Sequence, residues 1–304
     1  MVYKIILGDC EVKLEQLQID PLFKGVHLTF LDPPFNQNKE YTSHNDAMPE
    51  EAYWQWMNRI CQKIFTMTAP GGALYFMQRE KNTAQVLNTL HVTGWTFQNL
   101  IIWKKLTSAV PNSLRFGKQY QILAFATKGD QPRVFNRLRI DVPPPPNYKI
   151  ERENGIYVTD IWDDIRELTS GYFAGDEAIR VSHGVAFTKE GDRFHKQQTP
   201  IRLLMRIILA SSLPRDIILD PFAGTGVTAI VAEQLARDSF SIELDPQNID
   251  VIKKRLLLKR PADDLSPFLE YYQYTDHLES LLPNYSKKPS PKKFMKSIED
   301  FLIK

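Results

Sequence analysis

A carboxylate followed by two prolines and an aromatic side chain is the first group in the sequence that could do chemistry. Residues 32–35 read Asp-Pro-Pro-Phe and follow the apolar run 26–30, which predicts a buried strand. Because proline fixes φ and lacks a backbone N–H, the strand must stop at Pro33 and the chain must leave extended. A carboxylate, prolyl carbonyls and an aromatic ring therefore come to the C-terminal end of a strand, where open α/β sheets bind ligands. The alternative is a strand end with a chance Pro-Pro turn.

A glycine-containing stretch later in the chain has the residue types needed to bind a nucleoside. Residues 220–226 read Asp-Pro-Phe-Ala-Gly-Thr-Gly between a predicted strand and a predicted helix, and the next predicted strand, 239–244, carries Glu243. Gly224 and Gly226 would let the backbone approach a ligand, and Glu243 would accept hydrogen bonds from both ribose hydroxyls. The alternative is a purely structural glycine turn between a strand and a helix.

The elements that must position these two groups predict an α/β fold. Residues 3–90 alternate between predicted strands and helices, and further strands are predicted at 95–103 and 119–127, which favours a parallel sheet with an antiparallel edge. Residues 105–195 contain four consecutive prolines and several turn signals, and predict an insertion of loops and short strands. A helix is predicted to follow, with Thr199 as its N-cap and a proline as its first residue.

Composition limits the class of protein and its surroundings. The chain has 304 residues, of which 43% are hydrophobic, and this is ample for a buried core. No apolar run approaches the ~18 residues of a membrane span, so we expect no contact with a membrane. The chain has two cysteines and no metal-ligand pattern, which predicts no metal site and a cytoplasmic location.

Positive charge is concentrated in one part of a nearly neutral chain. The net charge is +2, but residues 104–139 hold eight basic residues against one acid. Such a block predicts a surface for a polyanion, and the alternative is an ordinary solvated face. The side chains that we expect to contact nucleic acid are Lys104, Lys105, Arg115, Lys118, Arg133, Arg137 and Arg139.

Together these motifs resemble those of the β group of bacterial DNA amino-methyltransferases, which act on adenine N6 or cytosine N4. Residues 220–226 look like the family's S-adenosylmethionine motif, and residues 32–35 resemble its catalytic motif, (D/N/S)-P-P-(Y/F). The order of the catalytic motif, a variable insertion and then the cofactor motif is similar to the permuted arrangement of the β group. The resemblance covers most of residues 3–260.

The resemblance implies a Rossmann-like methyltransferase fold. We expect a mostly parallel, seven-stranded sheet with helices on both faces, in which the strand at 3–7 lies beside those at 217–220 and 239–244. The motif order is circularly permuted, and a target-recognition region is inserted. The implied domains are the catalytic half (1–104), the last sheet strands with the target-recognition insertion (105–195), the cofactor-binding half (196–260) and a C-terminal tail (261–304).

The resemblance also implies roles for individual residues. The Asp32 carboxylate and the Pro33 carbonyl would accept hydrogen bonds from the two N–H groups of a target amino group. Phe35 would stack on a base swung out of the duplex. The implied catalytic residues are Asp32, Pro33, Pro34 and Phe35. The implied cofactor-binding residues are Asp9, Cys10, Asp32, Thr199, Asp220, Phe222, Gly224, Gly226 and Glu243.

Within the implied cofactor site, each residue would face a different part of the S-adenosylmethionine molecule. Asp9 would accept a hydrogen bond from the adenine amino group, and Glu243 would accept from the ribose. Phe222 and Gly224 would line the methionine part.

The expected function is methyl transfer from S-adenosylmethionine to N6 of adenine in duplex DNA, within or derived from a restriction–modification system. Adenine is favoured because Asp32 stands where the cytosine-N4 members mostly carry serine. The chain lacks a Pro-Cys nucleophile, which disfavours methylation at cytosine C5. The alternatives are the same reaction at cytosine N4, methylation of RNA or of a protein glutamine, and a non-catalytic DNA-binding relative. Candidate partners besides DNA are a cognate restriction endonuclease and a second copy of the chain. The expected location is the bacterial cytoplasm, in association with the nucleoid.

Overall fold

The computed structural model describes residues 2–20, 23, 25–37, 47–106, 113–142, 154–168, 175–182, 185–188, 191–194 and 198–282. Parts of the expected insertion, including its four prolines, and the tail beyond residue 282 lie outside the described residues. Within the described ranges, no helix is both long enough and apolar enough to cross a bilayer.

Strands and helices alternate along both ends of the chain, as the sequence predicts. The strands are β1 (Tyr3–Leu7), β2 (Val26–Leu31), β3 (Thr68–Arg79), β4 (Thr96–Lys104), β5 (Tyr120–Thr127), β6 (Arg139–Ile140), β7 (Ile156–Tyr157), β8 (Ile161–Trp162), β9 (Arg180–Ser182), β10 (Val185–Ala186), β11 (Asp192–Arg193), β12 (Ile217–Asp220) and β13 (Asp238–Glu243). The helices are α1 (Cys10–Gln18), α2 (Glu50–Met67), α3 (Thr83–Val92), α4 (Ile201–Ser211), α5 (Val227–Gln234), α6 (Pro246–Leu258), α7 (Ser266–Leu269) and α8 (Leu278–Leu281).

A single large sheet organises the molecule. Its strand order is β1-β13-β12-β2-β3-β5-β4-β8, and β5 alone runs antiparallel to its neighbours. The mostly parallel sheet with an antiparallel strand near its edge is therefore confirmed. The described part of the sheet has eight strands rather than the expected seven, because β8 pairs in parallel with the end of β4. This short strand comes from the expected insertion, and it is held there by a hydrogen bond from Trp103 Nε1 to the Ile165 carbonyl, 2.8 Å.

The N-terminal strand lies beside the two C-terminal strands, as expected. The pairing of β1 with β13 runs in register from Tyr3–Ser239 to Leu7–Glu243, and β13 pairs in turn with β12. The Gly8 N–H then donates to the Glu243 carbonyl, 2.9 Å. Because these strands are parallel, the acids that follow them or end them reach the same edge of the sheet.

Helices cover both faces of the sheet and bury two apolar clusters. One face packs α4, α5, α7 and α8 against side chains such as Leu28 and Phe30, while the other packs α1, α2 and α3 around Leu31 and Leu74. The aromatic stripe of α2 is core, as its helical spacing predicts: Tyr53 and Met57 are buried. The two layers of helices leave the C-terminal edge of the strands as the accessible place for a ligand.

The start of α4 differs from the prediction. Thr199 does not cap the helix, whose N-cap residue is Pro200 and which begins at Ile201. The Ile201 N–H instead donates to Glu177 Oε1, 2.6 Å, so a carboxylate from the insertion satisfies the first turn. This leaves the Thr199 hydroxyl available for another partner.

Candidate active site

The Asp32 carboxylate, half-buried at the end of β2, is held by the segment that leads into α4. The Thr199 hydroxyl donates to Asp32 Oδ2 at 3.1 Å, and Thr199 itself is 9% exposed. The sequence predicted Thr199 as a cofactor ligand, but its contact in the structure is with the proposed catalytic carboxylate. This bond joins the two halves of the chain at the site.

The residues after Asp32 are fixed more tightly than the sequence indicates. Pro33 is buried, and the Pro34 carbonyl accepts a hydrogen bond from the Tyr53 hydroxyl of α2, 2.7 Å. The Phe35 ring is 5% exposed and packs within the apolar cluster that covers α4, so it offers no open stacking face in this structure. The role of Phe35 in stacking on a target base therefore stays a prediction, and in this structure the ring is part of the core.

Asn36 closes the base of the loop that follows. Its backbone has φ of +51°, a left-handed conformation that asparagine tolerates better than most residues. Its side chain donates to the Met48 carbonyl at 2.7 Å and accepts from the Met48 N–H at 2.8 Å, like a strand neighbour. Sequence reasoning missed this residue, although an asparagine directly after a Pro-Pro-Phe turn is a signal for such a conformation.

The opening aspartate of the glycine loop shapes that loop from beneath. Asp220 is 3% exposed; its Oδ1 accepts from the Phe222 N–H at 3.0 Å and its Oδ2 from the Thr228 hydroxyl at 2.5 Å. Burial raises the pKa of Asp220 to about 7, and the nearby Glu243 adds to the shift. Asp220 therefore holds the glycine loop in its conformation, and its contact with a cofactor stays a prediction.

The two glycines of the loop have different roles. Gly224 has φ of +53°, and a Cβ built on it would meet no heavy atom within 4 Å. Gly226 has φ of +78°, and its Cβ would lie 2.7 Å from Ile252 Cγ1 of α6. Gly224 therefore borders open space, whereas Gly226 allows α6 to pack against the loop.

Glu243 lies beside this open space and is tied to the loop. Its Oε2 accepts from the Gly224 N–H at 2.7 Å, and its Oε1 accepts from the Asp245 N–H at 2.8 Å. Burial is the main reason that the pKa of Glu243 is raised. An acid at the end of β13 next to an unobstructed glycine backbone fits the ribose of a nucleoside cofactor.

The remaining predicted cofactor residues lie along the same edge. The Asp9 carboxylate accepts from the Val12 N–H at 3.1 Å and so caps α1, whose first residue, Cys10, is 5% exposed with a thiol pKa raised by burial. The Phe222 ring contacts Trp56 of α2 edge to face, with 5.6 Å between the ring centroids. Trp56 is a second residue that the sequence did not point to, and it links the glycine loop to the helix behind the catalytic motif.

The basic block does not form one surface. Strand β4 ends at Lys104, and Lys105 follows it at the same edge as Asp32. Lys118 pairs with Glu80 just beyond β3. Desolvation lowers the pKa of Lys105, while the carboxylates of Glu167, Asp32 and Glu80 oppose that shift. The Lys105 ammonium group is therefore close enough to Asp32 to interact with it electrostatically. Arg115 is exposed in the same connection between β4 and β5.

Arg133 lies at the N-terminal ends of the parallel strands, on the opposite side of the sheet from Asp32. Its N–H donates to the carbonyl of Gly71, near the start of β3, at 2.7 Å, and its guanidinium pairs with Asp216, just before β12. The expectation that Arg133 lies beside the active face is therefore wrong, because the chain has turned back to the N-terminal ends of the strands. Arg137 and Arg139 both stack on Tyr157, with guanidinium-to-ring distances of 4.3 and 4.5 Å.

Among the described residues, no group of three or more acids, histidines or cysteines is placed to hold a metal ion.

Known proteins share this sequence pattern and this fold. The sequence model of the N6_N4_Mtase family, described as a DNA methylase, matches residues 26–254. The chain is 24% identical to the Type II methyltransferase M.HpaI of Haemophilus parainfluenzae, over 86% of this chain and 82% of that one. It is 27% identical to the DNA adenine methyltransferase YhdJ of Escherichia coli (strain K12), over 83% of this chain and 82% of the relative. The crystal structure of the M1.HpyAVI–SAM complex superposes with a TM-score of 0.55 at 20% identity, covering 84% of this chain and 99% of that chain.

Proposed function

Because this chain belongs to the N6/N4 DNA methylase family, we propose that it methylates N6 of adenine within a specific sequence of duplex DNA. It is a DNA methyltransferase, and its cofactor is S-adenosylmethionine. When bound, this cofactor supplies a methyl group activated by a positively charged sulfur. The open backbone at Gly224 and the adjacent Glu243 are the features that fit it.

The observation that carries the proposal is the placement of the Asp32 carboxylate. It lies at the C-terminal end of β2, is held by Thr199, and precedes the carbonyl of Pro33 in the chain. The same sheet edge carries Gly224 and Glu243. A carboxylate and a carbonyl at this edge form an acceptor pair beside a nucleoside site.

This pair suits an exocyclic amino group. Such a nitrogen is a poor nucleophile because its lone pair is delocalised into the base. The Asp32 carboxylate and the Pro33 carbonyl each accept a hydrogen bond from the amino group. These two hydrogen bonds favour a tetrahedral nitrogen, whose lone pair then points away from the ring. Catalysis is then mainly positioning and electrostatic stabilisation by these two groups.

Adenine is the proposed base for two reasons. Position 32 is an aspartate, and one relative at 27% identity is named as a DNA adenine methyltransferase. The second candidate is cytosine N4, since the family model covers both kinds of enzyme and the acceptor pair fits either amino group. Methylation of RNA or of a protein glutamine is not favoured, because the matching family is one of DNA methylases.

A restriction–modification system is the setting that the similar Type II methyltransferase supports. A cognate endonuclease that cuts the same sequence is a proposed partner, and a homodimer is a proposed assembly. The bacterial relatives support a cytoplasmic location, and action on chromosomal DNA would bring the protein to the nucleoid.

Nucleoside analysis of modified DNA tests the proposal. The purified chain is incubated with duplex DNA and labelled S-adenosylmethionine, and the DNA is digested and analysed by mass. We expect N6-methyladenine, and Asp32→Ala should abolish it while cofactor affinity stays within about tenfold, since this carboxylate acts mainly on the target amine. N4-methylcytosine in place of N6-methyladenine would contradict the choice of base, and turnover by the variant would contradict the role of Asp32.

A further inference from the structure

A chain of buried hydrogen bonds holds the backbone of the catalytic motif from behind. The Tyr53 hydroxyl donates to the Pro34 carbonyl at 2.7 Å and accepts from Gln78 Nε2 at 3.0 Å. Gln78 Oε1 accepts in turn from the Arg79 N–H at 2.9 Å and from Asn82 Nδ2 at 3.2 Å. Helix α2, strand β3 and the turn after β3 thus converge on one carbonyl oxygen next to the proposed acceptor pair.

Burial fixes the direction of the hydrogen bonds in this series. Tyr53 is 1% exposed and Gln78 is 0% exposed, so water does not compete for their polar groups. Because the Gln78 amide donates to the Tyr53 oxygen, the single hydroxyl proton of Tyr53 is directed to the Pro34 carbonyl. The amide itself cannot rotate without losing its bonds to Arg79 and Asn82, so the orientation of the hydroxyl is fixed.

The two prolines transmit this anchoring to the catalytic carbonyl. The peptide group that contains the Pro33 carbonyl and the one that contains the Pro34 carbonyl are separated only by φ and ψ of Pro34. The pyrrolidine ring locks φ, and the hydrogen bond from Tyr53 fixes the direction of the Pro34 carbonyl and therefore ψ. With both angles set, the plane of the preceding peptide is set as well, and the Pro33 carbonyl has one orientation.

We propose that Tyr53, oriented by Gln78, is a positioning residue for methyl transfer that aims the Pro33 carbonyl at the target amino group. The inference rests on the proposed function, in which that carbonyl accepts one amino hydrogen. Tyr53 touches neither the DNA nor the cofactor in this role. Thr199 holds the Asp32 carboxylate, and Tyr53 holds the carbonyl, so each acceptor has its own support.

Tyr75 provides a matched control. It lies on β3, is 2% exposed, and its hydroxyl makes a buried hydrogen bond of 2.7 Å to Ser211 Oγ at the far end of α4. Tyr53→Phe and Tyr75→Phe each remove one buried hydroxyl with a partner at the same distance and leave the ring in the core. Tyr53→Phe also leaves Gln78 Nε2 without its acceptor, so it should lower the melting temperature somewhat more than Tyr75→Phe, but only Tyr53 contacts the catalytic loop.

The test measures the rate of a single methyl transfer with enzyme in excess over duplex DNA, well below the melting temperature of every variant. Tyr53→Phe should slow this step by about 10- to 100-fold, the effect of a displacement of less than an ångström at a reacting group, and leave the dissociation constant of S-adenosylmethionine within twofold. Tyr75→Phe should transfer at the wild-type rate. Gln78→Met should slow transfer in the same direction, and the double variant with Tyr53→Phe should be no slower than Tyr53→Phe alone, since both act through one hydrogen-bond chain.

Two outcomes overturn the inference while leaving the proposed function standing. One is a Tyr53→Phe variant that transfers at the wild-type rate. The other is an equal loss of rate in Tyr53→Phe and Tyr75→Phe, which would show a general effect of stability. A wild-type chain that methylates no DNA would instead overturn the proposed function, and with it this role of Tyr53.

Discussion

At the scale of single residues, the bond between Thr199 and Asp32 gives a direct prediction. Thr199→Val keeps the size of the side chain but removes the hydroxyl that donates to Asp32 Oδ2. The carboxylate loses one restraint of about 1 kcal/mol, so the rate of methyl transfer should fall about fivefold. Thr199→Ser should restore most of the rate, measured with saturating DNA and cofactor. Equal rates in the valine and serine variants would show that the hydroxyl does not act on Asp32.

The two loop glycines give a second prediction at this scale. Alanine at either position has a left-handed backbone, which costs about 1–2 kcal/mol. Because this cost is common to both variants, any difference in their stability or cofactor affinity reports what the added Cβ contacts. Gly226→Ala should lower the melting temperature further, because its Cβ meets Ile252. Gly224→Ala should weaken S-adenosylmethionine binding more, because its Cβ enters the open space beside Glu243. Calorimetric titration and thermal unfolding of both variants check this, and a reversed order would exchange the two assignments.

Sequence reasoning identified the residues of the motifs but not their supports. Asp32, Gly224 and Glu243 could be found because acids and glycines at these distances from predicted strand ends are typical of a nucleoside site in an α/β sheet. Thr199 lies 167 residues from its partner Asp32, so the residues around either position do not predict that contact. The burial of Phe35 could not be predicted either, because burial of an aromatic ring depends on packing from distant elements.

At the scale of elements, the start of α4 depends on a carboxylate from the insertion. Glu177 is half-buried where it accepts from the Ile201 N–H, and desolvation raises its pKa to about 7. The charges of Arg255 and Arg260 lower this pKa, and Asp263 raises it. The helix that leads from Thr199 is therefore tied to an acid that titrates near neutrality.

The sign of the resulting pH dependence follows from linkage. A carboxyl whose pKa is higher in the folded chain than in the unfolded one binds more protons when folded between those two values. The contribution of Glu177 to the free energy of unfolding should therefore fall as the pH rises from about 4.5 to about 7, and then level off. Glu177→Gln keeps an acceptor for the Ile201 N–H and should reduce this fall in denaturant titrations across the range. Asp220, whose pKa is also raised to about 7, should leave part of the fall in place. A variant with the wild-type profile would contradict the assignment.

Element types were predictable, and their bounds were less so. The periodicity of 49–68 predicted α2, which spans Glu50–Met67, because an amphipathic helix records its buried face in its own sequence. Pro70, Gly71 and Gly72 are residues that favour a turn, but they are part of β3, which begins at Thr68. Pairing of Thr68 with Val26 across a register shift, together with backbone bonds to residues beyond β5, overrides the local preference of these residues.

At the scale of the whole molecule, the distribution of positive charge predicts which residues meet DNA. Arg115 is exposed at the edge that carries Asp32, whereas Arg133 pairs with Asp216 at the opposite edge. Arg115→Gln should lower the slope of log K against log salt for duplex binding by about 0.9, the value for one phosphate contact. Arg133→Gln should leave that slope unchanged and reduce thermal stability instead. Binding titrations at several salt concentrations test this, and an altered slope for Arg133→Gln would return it to the DNA surface.

The arrangement of the whole sheet was largely predictable, because the alternation of strands and helices and the resemblance of two motifs select one family of topologies. The eighth strand was not. A two-residue strand such as β8 has too few residues to show a period, and it forms because Ile102 and Trp103 at the end of β4 offer an unpaired edge. The position of the basic block was likewise not predictable from the sequence, since the chain reverses direction between β4 and β5 and carries Arg133 to the start of β3.

The pairing of β1 with β13 has a consequence for how the protein is made. The Val2 N–H bonds to the Asp238 side chain, 236 residues further along the chain, so β1 leaves the ribosome long before its partner β13. At ~5–20 residues per second, that interval is about 10 to 50 s. During translation β12 and β13 are missing, and the growing sheet exposes the edge of β2 until they arrive. Until then the nascent chain carries an unpaired strand β1 and an open sheet edge beside the catalytic motif, and unpaired strand edges of this kind invite association with other chains. Proteolysis of ribosome-bound chains halted before and after β13 should cut near Leu7 in the shorter chains and spare it in the longer ones.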